Sequence, residues 1–518
     1  MTEDSIGSAT AASERYQLYP QDKVEALRRE VSDSPLYNDD LAPVGPAERT
    51  WGTYNLLALW VGISVVITTY TLASALMTAG MNWWQALITV AGGNLLVLVP
   101  MLLNAHAGTR YGIPFPVFVR SMFGTRGANF AAMARALVAC GWFGIQTWIG
   151  ATAIDALITA LDHRWPTLGI HQAVCFALLW VIELAIILRG VAGIRLLESI
   201  AAPLLLAGAA ALLVWGFDAG HGVAHVFSAS ARLQQGHGQF WSLFWPGLAA
   251  NFGYWATLSL NIPDFTRFAK SQRAQVIGQS AGLPTIMTAF SFVGIAVTAA
   301  TVVIYGHPVW NPITLISTLL RGLPVVLVIA MVLILISQVS VNMAANVVSP
   351  SNDFSNLAPK VISFRTGGII TALIGVVSFP WVLYRDAGSY IFTWLDGYGS
   401  LLGAIAAVMI VDYWILNRRR LDPVDLYRMN GRYHYFHGWN LRAIAAVLVA
   451  VIPVLPGFIH AATTPGGVIS HPDTLDHLYS YGVFFTICVA ALVYYGLSTL
   501  IRPQEARDGT PDSIAAVR

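Results

Sequence analysis

Residues 53–78 read TYNLLALWVGISVVITTYTLASALMT, twenty-six residues without one charged side chain. A helix crosses the hydrocarbon core of a bilayer in about 20 such residues. Gly62 and Ser64 stand in the middle of the stretch. Small and polar residues at that depth mark either an interruption of the helix or a packing surface against a neighbour. The same two readings hold for residues 248–265, LAANFGYWATLSLNIPDF, with Gly253 at mid-span and Pro263 at the end.

Working outward, twelve stretches are long and apolar enough to span. They are 53–78, 83–105, 128–160, 170–188, 197–217, 240–262, 277–306, 323–348, 366–383, 389–416, 439–460 and 476–500. The two interrupted candidates are spans 1 and 6, five spans apart, which fits two five-helix repeats of inverted topology. Repeat one covers about 53–217 and repeat two about 240–416, with extra helices at about 439–500. Residues 51–501 thus form one all-α transmembrane domain. Residues 1–50 and 502–518 read as polar cytoplasmic tails; QDKVEALRREVSD in the first has the pattern of a short surface helix, but a disordered tail is expected. No apolar signal-peptide core precedes span 1.

Composition agrees. Of 518 residues, 56% are hydrophobic and 11% charged, against roughly 25% charged in a soluble domain. Too few charges exist to cover a water-soluble globule, which excludes an ordinary cytosolic enzyme, a nucleic-acid binder and a disordered chain. Cys140, Cys175 and Cys488 lie in apolar runs with no CxxC spacing, so neither a disulfide frame nor a zinc site is expected.

The charges that remain are sorted by side. With the amino terminus inside, loops after even-numbered spans carry fifteen Lys and Arg residues and the opposite loops only four, Arg164, Arg232, Arg321 and Arg385. The positive-inside rule then places both termini in the cytoplasm, and a cell-membrane location follows.

Twelve spans point to a secondary transporter, whose substrate sits near mid-membrane beside interrupted helices. Span 3 contains GWFGIQTWIG, with Trp142 and Gln146 four apart on one helical face. Span 6 adds Tyr254 and Trp255. Span 8 is polar for its depth, with Ser337, Gln338, Ser340, Asn342 and Asn346. Indoles stack on flat π-systems and amides offer both donor and acceptor, so the set suits a planar, amide-rich heterocycle. Taken singly, each Trp also reads as an interface anchor and each Asn as an interhelical hydrogen bond.

Seven motifs carry a family resemblance: ERTWGTYNLLALWVG (48–62), GMNWWQAL (80–87), RYGIPFPVFVRSMFGTRGAN (110–129), GWFGIQTWIG (141–150), WATLSLNIPDFTRFAKSQ (255–272), NMAANVVSP (342–350) and VDYWILNRRRLDPVDLY (411–427). In this order they resemble the nucleobase–cation–symport-1 family over about residues 47–460. The resemblance implies a LeuT-like fold: a 5+5 inverted repeat, helices 1 and 6 broken, and two extra helices. It implies that Trp142 and Trp255 sandwich the substrate ring, while Gln146 and Asn346 hydrogen-bond its amide edge, helped by backbone near Tyr254. The span 6 motif resembles plant plastidic and bacterial members that carry uracil and purines. The family's hydantoin carriers have Gln where this chain has Val66. A uracil-type nucleobase is therefore the first expectation, with purine bases, allantoin and hydantoin as alternatives.

For the coupling ion, the resemblance places a sodium site at the carbonyls of Gly62 and Val65 with Ser337, Ser340 and Val341. Val341 lacks the hydroxyl of sodium-coupled relatives, and a hard cation needs oxygen ligands. Proton symport stays open, through Glu183 in span 4 or Asp155 in span 3. Glu198 reads rather as an i,i+3 partner of Arg195, and Glu183 equally as an interhelical hydrogen-bond acceptor. Span 10, SYIFTWLDGYGS, is the expected gate, with Ile391 or Phe392 capping the ring. No cofactor is expected, and a monomer is expected to suffice. A membrane-embedded enzyme or a non-transporting sensor are the competing classes. The first lacks a catalytic constellation: no HExxH or GxSxG occurs, and the histidines lie in loops or near span ends.

Overall fold

The computed structural model describes residues 18–189, 194–230, 239–467, 469 and 471–500. The side chains of Arg195 and Glu198, and all of Arg232, lie outside the described residues. The described residues form helices and no strand ladder, only two isolated bridges, Trp51 with Ala269 and Phe436 with Trp439.

Twelve helical spans follow in order. The first is a bent pair, α1a (Thr53–Ser64) and α1b (Ile67–Thr78), at 59°. Then come α2 (Trp83–Tyr111), α3 (Ala128–Leu161), α4 (His171–Arg189) and α5 (Ile194–Ala219). The sixth is again split, α6a (Gln239–Tyr254) and α6b (Ala256–Asn261), and α7 is Gln272–Tyr305. The rest are α8 (Pro324–Leu357), α9 (Phe364–Val377), α10 (Ser389–Leu416), α11 (Leu441–Thr463) and α12 (Gly482–Leu500).

Packing divides the spans into two groups. α7 packs on α1a, α1b and α2, and α6a on α2. α3 packs on α4, α8 and α9. α5 touches α7 and α8, and α10 touches α6a and α3, so these two helices bridge the groups. The charged side chains Arg135, Glu183 and Asp353, well inside their spans, are buried in protein, as the low dielectric demands. Arg135 on α3 and Asp353 on α8 pair at 3.2 Å with both side chains fully buried.

Neither helix breaks at its expected glycine. In span 1 the interruption falls at Val65 (φ −83, ψ 76) and Val66 (φ −148, ψ 156). Both are β-branched, and such residues favour extended backbone. Gly62 remains helical, and a Cβ there would meet nothing within 4 Å. In span 6 the interruption is Trp255 (φ −104, ψ 4). Gly253 instead lets α10 approach, since a Cβ would lie 2.4 Å from the Leu395 carbonyl oxygen. For Gly253 the packing reading holds, not the interruption.

The amino-terminal region departs from the expected disordered tail. Residues 18–50 form a strap, with a helix over Gln21–Val31 that buries Val24, Leu27 and Val31. Those positions are three and four residues apart, one apolar face. The strap ties together four loops on one face. Tyr19 N–H donates to the Arg110 carbonyl and Val44 N–H to the Gly112 carbonyl, each at 2.8 Å. Asn38 Nδ2 donates to the Pro359 carbonyl at 2.7 Å, Arg267 to the Asp40 carbonyl at 3.0 Å, and Tyr427 Oη to the Leu41 carbonyl at 2.7 Å. Gly112 has φ 73, and a Cβ there would lie 2.2 Å from the Val44 carbonyl oxygen. These loops are the basic ones, so their orphan carbonyls and the strap satisfy one another.

Within the strap, Arg28 donates to the Pro43 carbonyl and pairs with Glu48 at 2.7 Å. The hydrogen bond from Arg28 holds the Glu48 carboxyl below the ordinary carboxylate range. This stabilisation is therefore present above that range and lost as pH falls through the lowered value. Arg28→Ala is expected to speed amide exchange across residues 24–44 by about tenfold, the worth of a lost hydrogen bond or two. Unchanged protection by hydrogen-exchange mass spectrometry contradicts this.

Candidate functional site

The five expected substrate residues converge. Trp142 and Gln146 from α3, Tyr254 and Trp255 at the break of span 6, and Asn346 from α8 line one cavity. Ile63 at the end of α1a and Val341 of α8 line it too. The interruption of span 1 and the polar stretch of span 8 thus meet at the same place.

Its free interior is about 30 Å³, room for one or two waters. Tyr254 stands edge-on between the indoles, its ring 5.2 Å from Trp142 at 75° and 4.9 Å from Trp255 at 80°. A planar ligand enters only when Tyr254 turns or the helices part. Tyr254 Oη bonds the hydroxyls of Thr68 (2.8 Å) and Thr69 (3.1 Å), just past the break in α1.

The two amides have their polarity set by their neighbours. Gln146 Nε2 donates to Thr68 Oγ1 at 3.3 Å, and its Oε1 is buried without a partner. Asn346 Nδ2 donates to Asn342 Oδ1 at 3.0 Å. Asn342 Nδ2 in turn donates to Glu183 Oε1 at 2.9 Å. Asn342 and Asn346 share a π-helical turn, Asn342–Val347, a local widening typical of functional sites. Both carbonyl oxygens, Gln146 Oε1 and Asn346 Oδ1, remain to accept from a ligand N–H.

Glu183 is fully buried on α4 and lies 2.6 Å from Thr147 Oγ1. Thr147 Oγ1 is also 2.8 Å from the Phe143 carbonyl. One hydroxyl has one proton, so Thr147 donates to only one of them. A protonated Glu183 would donate to Thr147 and leave Thr147 to Phe143. Glu183 thus joins the cavity through Asn342 and Asn346.

Asp155 does not join it. Its Oδ1 accepts from Trp165 Nε1 at 2.8 Å and pairs with His171 at 2.6 Å, in a separate cavity of about 660 Å³. Of the expected cation residues, Ser337 has a buried hydroxyl without a hydrogen-bond partner, as does Ser64 at the end of α1a. Ser340, three residues after Ser337, is buried as well. Helix α1a ends at Ser64; the Val61 and Ser64 carbonyls accept from Val65 and Val66 N–H, while the break takes the i+4 N–H away from the Gly62 carbonyl. These groups carry oxygens of the kind a hard cation takes, while the Val341 side chain contributes only carbon. Among the described residues, no group of three His, Cys, Asp or Glu side chains gathers for a metal ion.

Neither residue of the expected gate, Ile391 or Phe392, lines this cavity. Ile391 is fully buried and Phe392 lines a different cavity. The residues of α10 that reach the site are Tyr390, Trp394 and Tyr398. Tyr398 Oη accepts from Trp142 Nε1 at 3.0 Å, and the Tyr390 and Trp394 rings each lie 6.2 Å from Trp142. A π-helical turn over Ser389–Leu395 rotates the face that α10 presents. The i, i+4 spacing of these three aromatics is the signal that the sequence offers. Thr68 and Trp60, whose ring stands 5.1 Å from Trp255, carry no comparable signal.

Residues 43–484 match the family model for permeases for cytosine/purines, uracil, thiamine and allantoin. The chain belongs to this family. The chain is 43% identical over 473 residues to an Arabidopsis thaliana purine-uracil permease, covering 89% of this chain and 78% of that one. It is 35% identical to a Bacillus subtilis allantoin permease, covering 90% of this chain and 94% of that one. Among solved structures, MHP1, a nucleobase-cation-symport-1 family transporter in a closed conformation with bromovinylhydantoin bound, superposes with a TM-score of 0.73 at 26% identity. That likeness covers 91% of this chain and 99% of the other. The protein is accordingly a multi-pass membrane transporter of LeuT-like fold, and not an enzyme.

Proposed function

We propose that this permease imports a uracil-type nucleobase, with purine bases as further substrates, by cation symport with alternating access. The convergence of Trp142, Gln146, Tyr254, Trp255 and Asn346 on one cavity carries the reading. Two indole faces suit a flat ring. Two amide oxygens left to accept suit a ring bearing N–H groups, as uracil does. Allantoin and hydantoin present N–H groups as well, and the similarity to an allantoin permease supports allantoin as the second reading.

For coupling, both ions have support. The freed Gly62 carbonyl of α1a with Ser337 and Ser340 favours Na⁺; the missing oxygen at Val341 and the Glu183–Asn342–Asn346 relay favour H⁺. The strap face, where the basic loops gather, is cytoplasmic in this reading, and the membrane is the cell membrane. The permease works as a monomer, since each half of the site comes from one chain.

The test is a thermal-shift panel on the purified chain with uracil, adenine, allantoin and hydantoin, each with sodium or choline, at two pH values. A ligand at 100 times its Kd stabilises by about 2.7 kcal/mol. Uracil is expected to raise Tm most, and the condition that enlarges its shift names the ion. A shift with allantoin or hydantoin but none with uracil overturns the substrate choice.

A further inference from the structure

Phe392 and Asp396 lie one turn apart on α10, on the side away from Trp142. With Trp241 and Trp245 of α6a and Tyr479 and Tyr481 before α12, they line a cavity of about 440 Å³ on the face opposite the strap. Asp396 is 3% exposed. Its Oδ1 is buried without a hydrogen-bond partner, and no donor reaches Oδ2 among the described residues.

Among the described residues, His477 is the one side chain lining the cavity that can carry a positive charge. From α6a come Trp241, Ser242, Leu243, Trp245 and Pro246, none titratable. From α10 itself the nearest titratable group is Tyr398, which is engaged by Trp142. From the helix Thr474–Ser480 and the residue after it come Asp476, His477, Tyr479 and Tyr481. Tyr479 Oη donates to the Phe392 carbonyl at 2.8 Å, and Asp476 is paired with His460 of α11 at 3.0 Å. No Lys or Arg lines the cavity among the described residues.

A carboxylate taken from water without donors or a cation costs several kcal/mol, and such a group neutralises instead. We propose that Asp396 is a proton-binding residue of the transport cycle: it takes a proton from outer water as α10 closes against α6a and Tyr479, and is ionised when they part. The bond made is O–H on the carboxylate, and the proton comes from hydronium in the outer cavity. Closure is built for this helix: the π-helical turn Ser389–Leu395 precedes Asp396, and Gly388 lets it cross Gly466 closely. The sign follows: the closed arrangement holds the extra proton, so low external pH favours closure and rising pH opposes it. Which face is external rests on the orientation proposed above; the gating claim needs no particular substrate.

The experiment uses the full chain in proteoliposomes, in a Cys488→Ser background, with Ile469→Cys as reporter in the cavity. Leu475→Cys, exposed outside the cavity, corrects for the pH dependence of the thiol itself. With Asp396 present, the ratio of labelling rates by an impermeant thiol reagent is expected to fall from pH 8 to pH 5, by at most about tenfold per pH unit for one proton. Asp396→Asn, a neutral isostere, is expected to hold the ratio low at every pH. A ratio independent of pH in the Asp396 protein overturns the proposal by itself, whether or not the variant folds. So does an unchanged pH dependence in Asp396→Asn. Labelling requires no transport, so pH-dependent gating without uracil uptake would count against the substrate reading alone.

Discussion

Trp142→Ala is expected to lower uptake of dilute uracil by about 10- to 100-fold, the worth of one stacked base at 1–3 kcal/mol. Trp142 is 5% exposed, stands beside Tyr254, and is fixed by its hydrogen bond to Tyr398. Removing the indole takes away one face of the site and leaves Tyr398 free to move. Trp142→Phe keeps a face and is expected to retain most uptake. Asn346→Ala removes one ligand acceptor and also leaves Asn342 Oδ1 without its donor. A loss of about tenfold is expected, equal to 1.4 kcal/mol. Both variants must be shown inserted and folded by detergent extraction and melting. If Asn346→Ala carries radiolabelled uracil, allantoin and hydantoin at the wild-type rate, the site assignment is wrong.

Glu183 carries the second large effect. Glu183→Ala would open a void beside Asn342 Nδ2, take away its 2.9 Å acceptor and leave it only longer contacts at 3.2 Å to the Phe143 carbonyl and Thr147 Oγ1; a buried N–H without a good partner costs about 1–3 kcal/mol. A lower Tm and loss of uptake are both expected. Glu183→Gln keeps the volume and can still accept from Asn342, so the fold should hold. An amide has no proton to exchange in this range. If H⁺ is the coupling ion and Glu183 carries it, the Gln variant exchanges labelled for unlabelled uracil but no longer accumulates it against a gradient under an imposed pH difference. Wild-type accumulation by Glu183→Gln excludes Glu183 as the proton carrier. Loss of exchange as well as accumulation would assign Glu183 to positioning Asn342 and Asn346 instead.

The residues legible in the sequence and those that are not differ in kind. Gln146 and Asn346 are costly side chains at membrane depth, and their combination with Trp142 and Trp255 across three spans is what marks the set. Thr68, Tyr390 and Tyr398 are ordinary in composition and acquire a role only through what they touch. Asp396 sits in SYIFTWLDGYGS beside glycines that favour a reading of bending. Whether its carboxyl finds a partner depends on α6a and the residues before α12, more than 75 positions away on either side. The strap is illegible for a related reason. Its helix is short and polar, and its anchors are backbone carbonyls and side-chain donors of four distant loops, which no pattern in residues 18–50 reveals.

What the sequence determined by itself is the solvent, the span count, the sorting of charge by side and the chemistry of the cavity. These are sums of local terms: apolar length against bilayer thickness, and the cost of each polar group in lipid. The tertiary structure alone decided where helices 1 and 6 break, which face α10 turns to the site, that residues 18–50 are held, and that Glu183 has donors while Asp396 has none among the described residues. Each of these depends on how one helix crosses another. A π-helical turn or a close approach at Gly253 shifts the facing side chains without leaving a distinctive local pattern.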